Sequence, residues 1–225
     1  MKVLTIGSGD MYSINNSASY LINDNILLDI PNGTCRELRR LNIEPNSINH
    51  VILTHLHADH FFDLPFYLFS RSYSNSTIYC MKEDNDILLN LIDISFPNAR
   101  SYVSAIFNND DCFIIDDLKI IRKKVNHGDI NSYGYVISDT HTTIGFTGDS
   151  SLCDGVEEMA SLCDTLICDC TLVEGNEYHM GIDNLIYLSN KYACCIYASH
   201  IKDETRKYVD NNNFEALRDG KVLIR

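Results

Sequence analysis

Residues 55–60 have the sequence His-Leu-His-Ala-Asp-His, and this segment decides most of what can be inferred about the fold. It follows directly on Val51–Thr54, an apolar run that predicts a short buried strand. Three imidazoles and a carboxylate, all of them good ligands for zinc-like ions, therefore stand together where a strand ends. The alternative is a histidine-rich surface turn. We interpret the segment as part of a site for one or two divalent ions.

The composition predicts a single domain over residues 1–225. Hydrophobic residues make up 45% of the chain, and no stretch has the composition of a linker. The amino terminus lacks the apolar core of a secretory signal, and no run approaches the roughly 20 apolar residues that span a bilayer. Nine cysteines, an odd number, favour reduced core thiols over disulfides. We therefore expect a cytoplasmic protein with no membrane association.

The chain is acidic, with a formal net charge of −13. This charge repels long polyanions unless a local basic patch offsets it, so a large nucleic acid is disfavoured as a partner. The two compact basic clusters, Arg36–Arg40 and Arg122–Lys124, are more typical of solvated faces than of a nucleic-acid groove.

Short apolar runs, which predict strands, alternate with segments of helical period. Helices are predicted over Thr34–Leu41 with Thr34 as its cap, after Asp63 as the N-cap residue, over Asp84–Ile94 and over Asp183–Lys191. The strand candidates are residues 2–6, 20–22, 26–30, 51–53, 77–80, 112–115, 118–125, 134–138, 143–147, 165–168 and 194–198. This alternation predicts two sheets covered by helices in a layered α/β or α+β domain.

Further candidate ligands each follow a predicted strand. His127, Asp149 and His200 stand just beyond residues 120–125, 144–148 and 195–199. Singly, each is more typical of a surface residue or an ordinary turn. Because strand ends on one edge of packed sheets can meet in one cleft, we expect the three to join the histidine segment.

The order of these motifs resembles the metallo-β-lactamase superfamily: a histidine segment, a later histidine, Gly148-Asp149, then a final histidine at a strand end. The resemblance runs from the turn Gly7–Gly9 to His200 and includes Leu28-Asp29 followed by Gly33-Thr34. It implies an αββα sandwich, two mixed sheets flanked by helices, with the active site at one edge of the sheets.

Within that superfamily the chain is most similar to the ribonuclease Z and cyclic-phosphodiesterase branch. Ser132–Tyr135 is similar to the Gly-aromatic strand that follows the third histidine in that branch. Asp169–Leu172 stands where the branch has a Glu-Ala-Thr-Phe segment. His179 comes 21 residues before His200, much like the extra catalytic histidine of the branch.

The resemblance implies two divalent metal ions, bridged by Asp149. One ion would be held by three imidazoles, those of His55, His57 and His127. The other would be held by a carboxylate and two imidazoles, those of Asp59, His60 and His200. Zinc is the default for this ligand set, with manganese or iron as alternatives. Two ions about 3.5–4 Å apart can share a hydroxide and stabilise oxygen charge in the transition state.

A phosphodiester also needs a proton for its departing alkoxide. By the resemblance, His179 is the candidate general acid, Asp169 would orient it, and Asp59 completes the catalytic candidates. The side chain of Asp169 is one methylene shorter than that of the Glu in the branch, so the distance that it must span to His179 is a point for the structure to decide. His50 and His141 match no position of the pattern and are interpreted as structural or surface residues.

Two differences between this sequence and the branch narrow the class of substrate that we expect. Ribonuclease Z enzymes that process transfer RNA carry a long arm between the third histidine and the Gly-Asp, whereas only 22 positions separate His127 from Asp149 here. The Gly9–Ser19 loop carries no Arg or Lys, where a phosphate-handling loop is expected to have one. We therefore predict a small anionic phosphodiester, cyclic or linear, as substrate. A homodimer is an option, because family members are often dimers and the aromatic segment Phe61–Tyr73 could lie at an interface or in the core.

Three alternatives remain open at this point. The same site could hydrolyse a carboxyl ester, thioester or lactone. It could hold iron for persulfide oxidation. It could also serve a metal-binding sensor or interaction protein with little turnover, which the complete ligand set disfavours.

Overall fold

The computed structural model of this protein describes residues 1–71, 74–98 and 100–224. The strands in these ranges are β1 (Lys2–Gly7), β2 (Ser19–Ile22), β3 (Ile26–Leu28), β4 (His50–Ile52), β5 (Ser76–Tyr79), β6 (Ala105–Asn108), β7 (Cys112–Ile115), β8 (Leu118–His127), β9 (Ile130–Ser138), β10 (Thr143–Phe146), β11 (Thr165–Asp169), β12 (Cys195–Ser199), β13 (Glu215–Ala216) and β14 (Val222–Ile224). The α-helices are α1 (Thr34–Arg40), α2 (Ala58–Phe61), α3 (Leu64–Ser70), α4 (Asn85–Ser95), α5 (Asp154–Leu162), α6 (Ile182–Lys191) and α7 (Asp203–Asn211).

The strands form two mixed sheets of seven strands each. The first has the order β14-β1-β2-β3-β4-β5-β6, and the second has the order β13-β12-β11-β10-β9-β8-β7. In the first sheet β3, β4, β5 and β6 run parallel, and in the second β10, β11, β12 and β13 do. The carboxyl ends of parallel strands gather at one edge of a sheet, which makes that edge a natural place for a site.

Apolar side chains form three layers of core. The middle layer lies between the sheets and joins residues of both, among them Tyr20, Ile52, Ile120 and Phe146. On the outer face of the first sheet, side chains of α1, α3 and α4 are buried against it. On the outer face of the second, those of α5, α6 and α7 are buried in the same way. This is the helix-sheet-sheet-helix arrangement that the sequence predicted, so that prediction is confirmed.

Helix α1 is capped from a distance. The prediction that Thr34 caps this helix is wrong, because Thr34 is the first helical residue. Gly33 precedes it as the N-cap residue, with a φ of 96°. The carboxylate of Asp63 accepts hydrogen bonds from the backbone N–H groups of Gly33 and Cys35, at 3.1 and 2.8 Å. Asp63 precedes α3 and makes no side-chain cap bond there. Its side chain therefore caps α1, which local sequence rules cannot reveal.

We predict that Asp63→Ala lowers the free energy of unfolding by about 1–2 kcal/mol, the usual cost of losing a helix cap. Asp63 is only 6% exposed, so water replaces its two hydrogen bonds poorly. Chemical denaturation measures the change. Asp117→Ala, at an exposed position between β7 and β8, is the matched control and should stay within about 0.5 kcal/mol of the parent. Equal stability of the two variants would contradict the capping role.

The aromatic segment Phe61–Tyr73 divides between core and surface. Phe61 and Tyr67 are buried, whereas Phe62, Phe66 and Phe69 are 46%, 54% and 43% exposed. Tyr73 lies outside the described residues. The homodimer considered from the sequence stays a prediction. In the described ranges, none of the helices has the length and apolar character needed to cross a membrane.

Candidate metal centre

The predicted site residues stand where strands of both sheets end. The histidine segment begins three residues beyond β4, and Asp149 lies three residues beyond β10. His127 is the last residue of β8, and His200 directly follows β12. His200 adopts a left-handed backbone conformation with a φ of 51°, which is rare for a residue with a side chain and typical of functional sites.

All seven predicted ligands converge in two groups, and a third group joins Asp149 and His200 of these to His179. Within each group the potential ligand atoms lie within 4.8 Å of one another. The first group consists of His55, His57, His127 and Asp149. The second consists of Asp59, His60 and His200. The first two groups contain the seven residues that the family resemblance implied as ligands, and their role as ligands stays a prediction.

Asp149 joins the two groups. Its Oδ2 atom lies 3.3 Å from Nε2 of His60, 3.3 Å from Nε2 of His200 and 3.9 Å from Nε2 of His55. In a tetrahedral zinc site with bonds of about 2.0–2.1 Å, neighbouring ligand atoms are about 3.3 Å apart. The carboxylate of Asp149 is thus placed to contact an ion in either group.

Three imidazoles each direct a nitrogen without a hydrogen-bond partner toward the carboxylate of Asp149. Nε2 of His55, His60 and His200 is buried in each case and has no hydrogen-bond partner among the described residues. A buried polar atom without a partner is costly, and three that converge on one carboxylate fit a cation that they would share.

The opposite ring nitrogens are held by hydrogen bonds. Nδ1 of His60 lies 2.8 Å from Oδ2 of Asp29. Asp29 also accepts hydrogen bonds from the backbone N–H and the hydroxyl of Thr54, and that hydroxyl lies 3.1 Å from Nδ1 of His55. One buried carboxylate thereby orients two imidazoles, an arrangement that metal sites commonly use to fix ligand direction and tautomer.

Two further imidazoles are oriented in the same way. Nδ1 of His200 lies 2.8 Å from the hydroxyl of Thr171, and Nδ1 of His127 lies 2.8 Å from the carbonyl oxygen of Tyr178. The sequence interpretation missed the roles of Thr54 and Thr171. A hydroxyl directly before the histidine segment, and another two residues after Asp169, were the available signals.

His179 forms the predicted pair with Asp169. Its Nδ1 lies 2.8 Å from Oδ2 of Asp169, so the shorter side chain of Asp still reaches it. Asp169 is fully buried and accepts further hydrogen bonds from Thr171 and from the backbone of Ser150. Burial lowers the pKa of His179, but the hydrogen bond and charge of Asp169 outweigh it, and the pKa is raised above its usual value.

Charge at the centre of the cluster favours cations. Burial acts to raise the pKa of Asp149, yet the neighbouring imidazoles, His200 first, hold it well below its usual range. Burial acts to lower the pKa of His200, yet the charge of Asp149 raises it to about 9. Asp149 therefore attracts positive charge, and a divalent ion would compete with protons for the imidazoles.

A cavity of about 500 Å³ opens over these residues. Its wall includes His57, Asp59, His127, Asp149, His179 and His200, together with Asp10, Met11, Asp129, Ile130, Thr171, Leu172, Asn176, Tyr178 and Lys202. His50 and His141 do not line it. His50 is half-buried beside the hydroxyl of Tyr79, and His141 is exposed.

Comparison with solved structures identifies the fold. The crystal structure of the metallo-β-lactamase fold protein YhfI from Bacillus subtilis superimposes with a TM-score of 0.81 at 21% identity, covering 99% of this chain and 98% of that one. Human tRNase Z, short form, superimposes with a TM-score of 0.80 at 18% identity, covering 100% and 99%. The fold is therefore that of the metallo-β-lactamase superfamily.

Sequence comparison identifies the branch and the family within this fold. Ribonuclease Z of Oceanobacillus iheyensis is 30% identical over 128 residues, which are 52% of this chain and 40% of the relative, so the match spans less than half of that protein. The resemblance to the ribonuclease Z branch is thereby confirmed. The family described as anti-Pycsar protein Apyc1 matches residues 1–222, and the chain belongs to this family.

Proposed function

We propose that this protein is a dinuclear metal-dependent phosphodiesterase that acts on a small anionic phosphodiester, cyclic or linear. The observation that carries the proposal is the convergence of seven predicted ligand side chains, Asp149 among them, beside the His179–Asp169 pair. The similarity to proteins named ribonuclease Z supports a phosphodiester as the bond that is cleaved, because a ribonuclease cleaves the phosphodiester bonds of RNA.

In this proposal each predicted ligand keeps its role. His55, His57 and His127 would hold one ion, Asp59, His60 and His200 would hold the other, and Asp149 would contribute its carboxylate to both. Imidazole-rich sites of this kind suit zinc, with manganese or iron as alternatives. Two bound ions supply Lewis acidity and lower the pKa of water. Asp59 also lines the cavity, where its carboxylate can accept a hydrogen bond from that water.

His179 provides the proton that a departing alkoxide requires. Asp169 fixes Nδ1, which leaves Nε2 as the nitrogen that can donate into the cavity. The hydrogen bond and charge of Asp169 raise the pKa of His179, which favours the protonated ring that a general acid requires.

Size and charge favour a small substrate. Only β9 and β10 lie between His127 and Asp149, in the interval where the transfer-RNA-processing enzymes carry their arm. Arg122, from one of the two basic clusters, is buried and donates hydrogen bonds to the Cys80 carbonyl oxygen and the Tyr135 hydroxyl. It therefore cannot contribute to a surface that binds a long polyanion.

A substrate panel with metal analysis tests the proposal. We expect about two divalent ions per chain by mass spectrometry and turnover of bis-p-nitrophenyl phosphate that exceeds turnover of carboxyl ester, thioester and lactone substrates. Chelation should abolish the turnover, and the same metal should restore it.

A matched pair of histidine variants completes the test. His57→Ala should lower both metal content and turnover, whereas His141→Ala, at an exposed position far from the cavity wall, should change neither. Preferred hydrolysis of carboxyl ester or thioester would overturn the phosphodiesterase assignment, and full metal occupancy with no turnover would favour a binding role.

A further inference from the structure

Lys202 is a cation at the edge of the candidate metal centre. It follows His200 by two residues and immediately precedes α7. Its side chain is partly buried and lines the 500 Å³ cavity. Among the described residues, no hydrogen bond or ion pair engages its ammonium group. Other lysines of the chain do have such partners, as Lys123 has Glu158 and Lys191 has Glu157.

The charged side chains around Lys202 in the cavity wall are mainly carboxylates. Four carboxylates line the cavity, those of Asp10, Asp59, Asp129 and Asp149, and Lys202 is the sole Lys or Arg in the part of its wall that the structure describes. Two bound divalent ions would carry four positive charges, which these carboxylates would balance in number. An anionic substrate would then depend on His179 and Lys202 for a net attractive charge.

Lys202 also lies against the Gly9–Ser19 loop, in which the sequence provides no Lys or Arg. A second cavity, of about 370 Å³, shares Asp10, Met11 and Lys202 with the first, so Lys202 stands at the junction of the two. Asp10 forms no ion pair with Lys202 in the described structure, and its Oδ1 accepts hydrogen bonds from the hydroxyl of Ser13 and the backbone N–H of Tyr12.

Several hydrogen bonds fix the loop to the segment that carries Lys202. The Ser13 hydroxyl donates to the carbonyl oxygen of Ile201 at 2.8 Å, and the backbone N–H of Ile14 donates to the Asp203 carboxylate at 3.1 Å. The residues directly before and after Lys202 are therefore anchored, and its ammonium stands where the loop itself offers no cation. A preorganised cation binds an anion with less loss of entropy than a mobile one.

We propose that Lys202 is a substrate-binding residue that pairs with a phosphoryl oxygen and gives the site its preference for anionic phosphodiesters over neutral esters. The inference rests on the function proposed above. It extends that function by assigning a specificity-determining residue outside the metal ligands and the His179–Asp169 pair. A lysine ammonium suits this role because it binds phosphate as a compact point charge.

Two readouts test the role of Lys202 in the metal-loaded protein. Isothermal titration with inorganic phosphate measures anion binding without turnover. Steady-state kinetics then compare bis-p-nitrophenyl phosphate, an anion, with p-nitrophenyl acetate, a neutral ester. The variants are Lys202→Met, which keeps the length of the side chain, Lys202→Arg, which keeps the charge, and Lys207→Met, which removes an exposed lysine of the same helix.

For Lys202→Met we expect phosphate binding to weaken about tenfold and KM for the phosphodiester to rise about tenfold, as for the loss of one charged hydrogen bond. The kcat for the phosphodiester and the kinetics with the neutral ester should change less than about threefold. Lys202→Arg should restore most of the phosphate affinity, and Lys207→Met should behave as the parent does.

The outcomes separate this inference from the proposed function. Equal phosphate affinity of the parent and Lys202→Met, or no phosphate binding by the parent, overturns the role of Lys202. Loss of phosphate binding in Lys202→Met, in a protein that turns over no phosphodiester, supports the anion-binding role while the proposed activity fails. A threefold or larger loss with the neutral ester would indicate a general structural effect and would also overturn it.

Discussion

Replacing Asp149 with Ala is expected to reduce metal content to one ion per chain or fewer and to lower kcat/KM for the phosphodiester by about 10,000-fold, or about 5.5 kcal/mol. The reason lies in the position of this carboxylate. Its Oδ2 is the atom that three buried imidazole nitrogens share, at 3.3, 3.3 and 3.9 Å. Without it, Asp59 would be the one carboxylate left among the predicted ligands to offset the charge of two divalent ions.

Mass spectrometry of metal content and kinetics on the same preparation check this expectation. Asp110→Ala removes a carboxylate from an exposed loop and is the matched control, for which both quantities should equal those of the parent. Because Asp149 is buried among charged partners, thermal melting should accompany both assays, to establish that the variant is folded. Two ions per chain and activity within tenfold of the parent would show that Asp149 does not bridge a metal pair.

The fold was predictable where periodicity is strong. β7 has the bounds that the sequence predicted, Cys112–Ile115, and α6 differs by one residue from the predicted Asp183–Lys191. Among the described residues, three helices (α2, α5 and α7) and three strands (β6, β13 and β14) were missed. α7 (Asp203–Asn211) has buried side chains only at Thr205 and Val209, so its apolar stripe is too short to recognise. β13 has two residues, and its pairing with β12 exists only in the folded chain.

The site was predictable for a different reason. A metal centre requires particular side chains, and their chemistry remains visible in the sequence wherever they occur. All seven predicted ligands meet in one cluster, and their role as ligands stays a prediction that the Asp149 and His57 variants test.

The residues that orient the site were harder to find than the ligands. Thr54 and Thr171 act through hydroxyl groups, which occur throughout any chain, and Asp63 caps a helix that ends 23 residues before it in sequence. Their partners are set by tertiary contacts. Lys202 was missed because the expected cation was sought in the Gly9–Ser19 loop, and this loop meets Lys202 only in three dimensions.

His179→Ala is expected to slow hydrolysis in proportion to the basicity of the leaving group. A p-nitrophenolate leaves readily without a proton, so turnover of bis-p-nitrophenyl phosphate should fall about tenfold. An alkoxide requires the acid, so turnover of a diester with an alkyl leaving group should fall about 1,000-fold, within the range typical of general acid catalysis. His141→Ala, which removes an exposed histidine, should leave both rates unchanged.

The pH dependence tests the same residue independently. A general acid must be protonated, so activity on the alkyl diester should decline as pH rises through the pKa of His179. Asp169 raises that pKa through a 2.8 Å hydrogen bond, against the effect of burial. In Asp169→Asn the decline should therefore begin at lower pH, and in His179→Ala it should disappear. Equal losses for aryl and alkyl leaving groups, with an unchanged pH profile, would remove His179 as the acid and leave it a residue that only shapes the cavity.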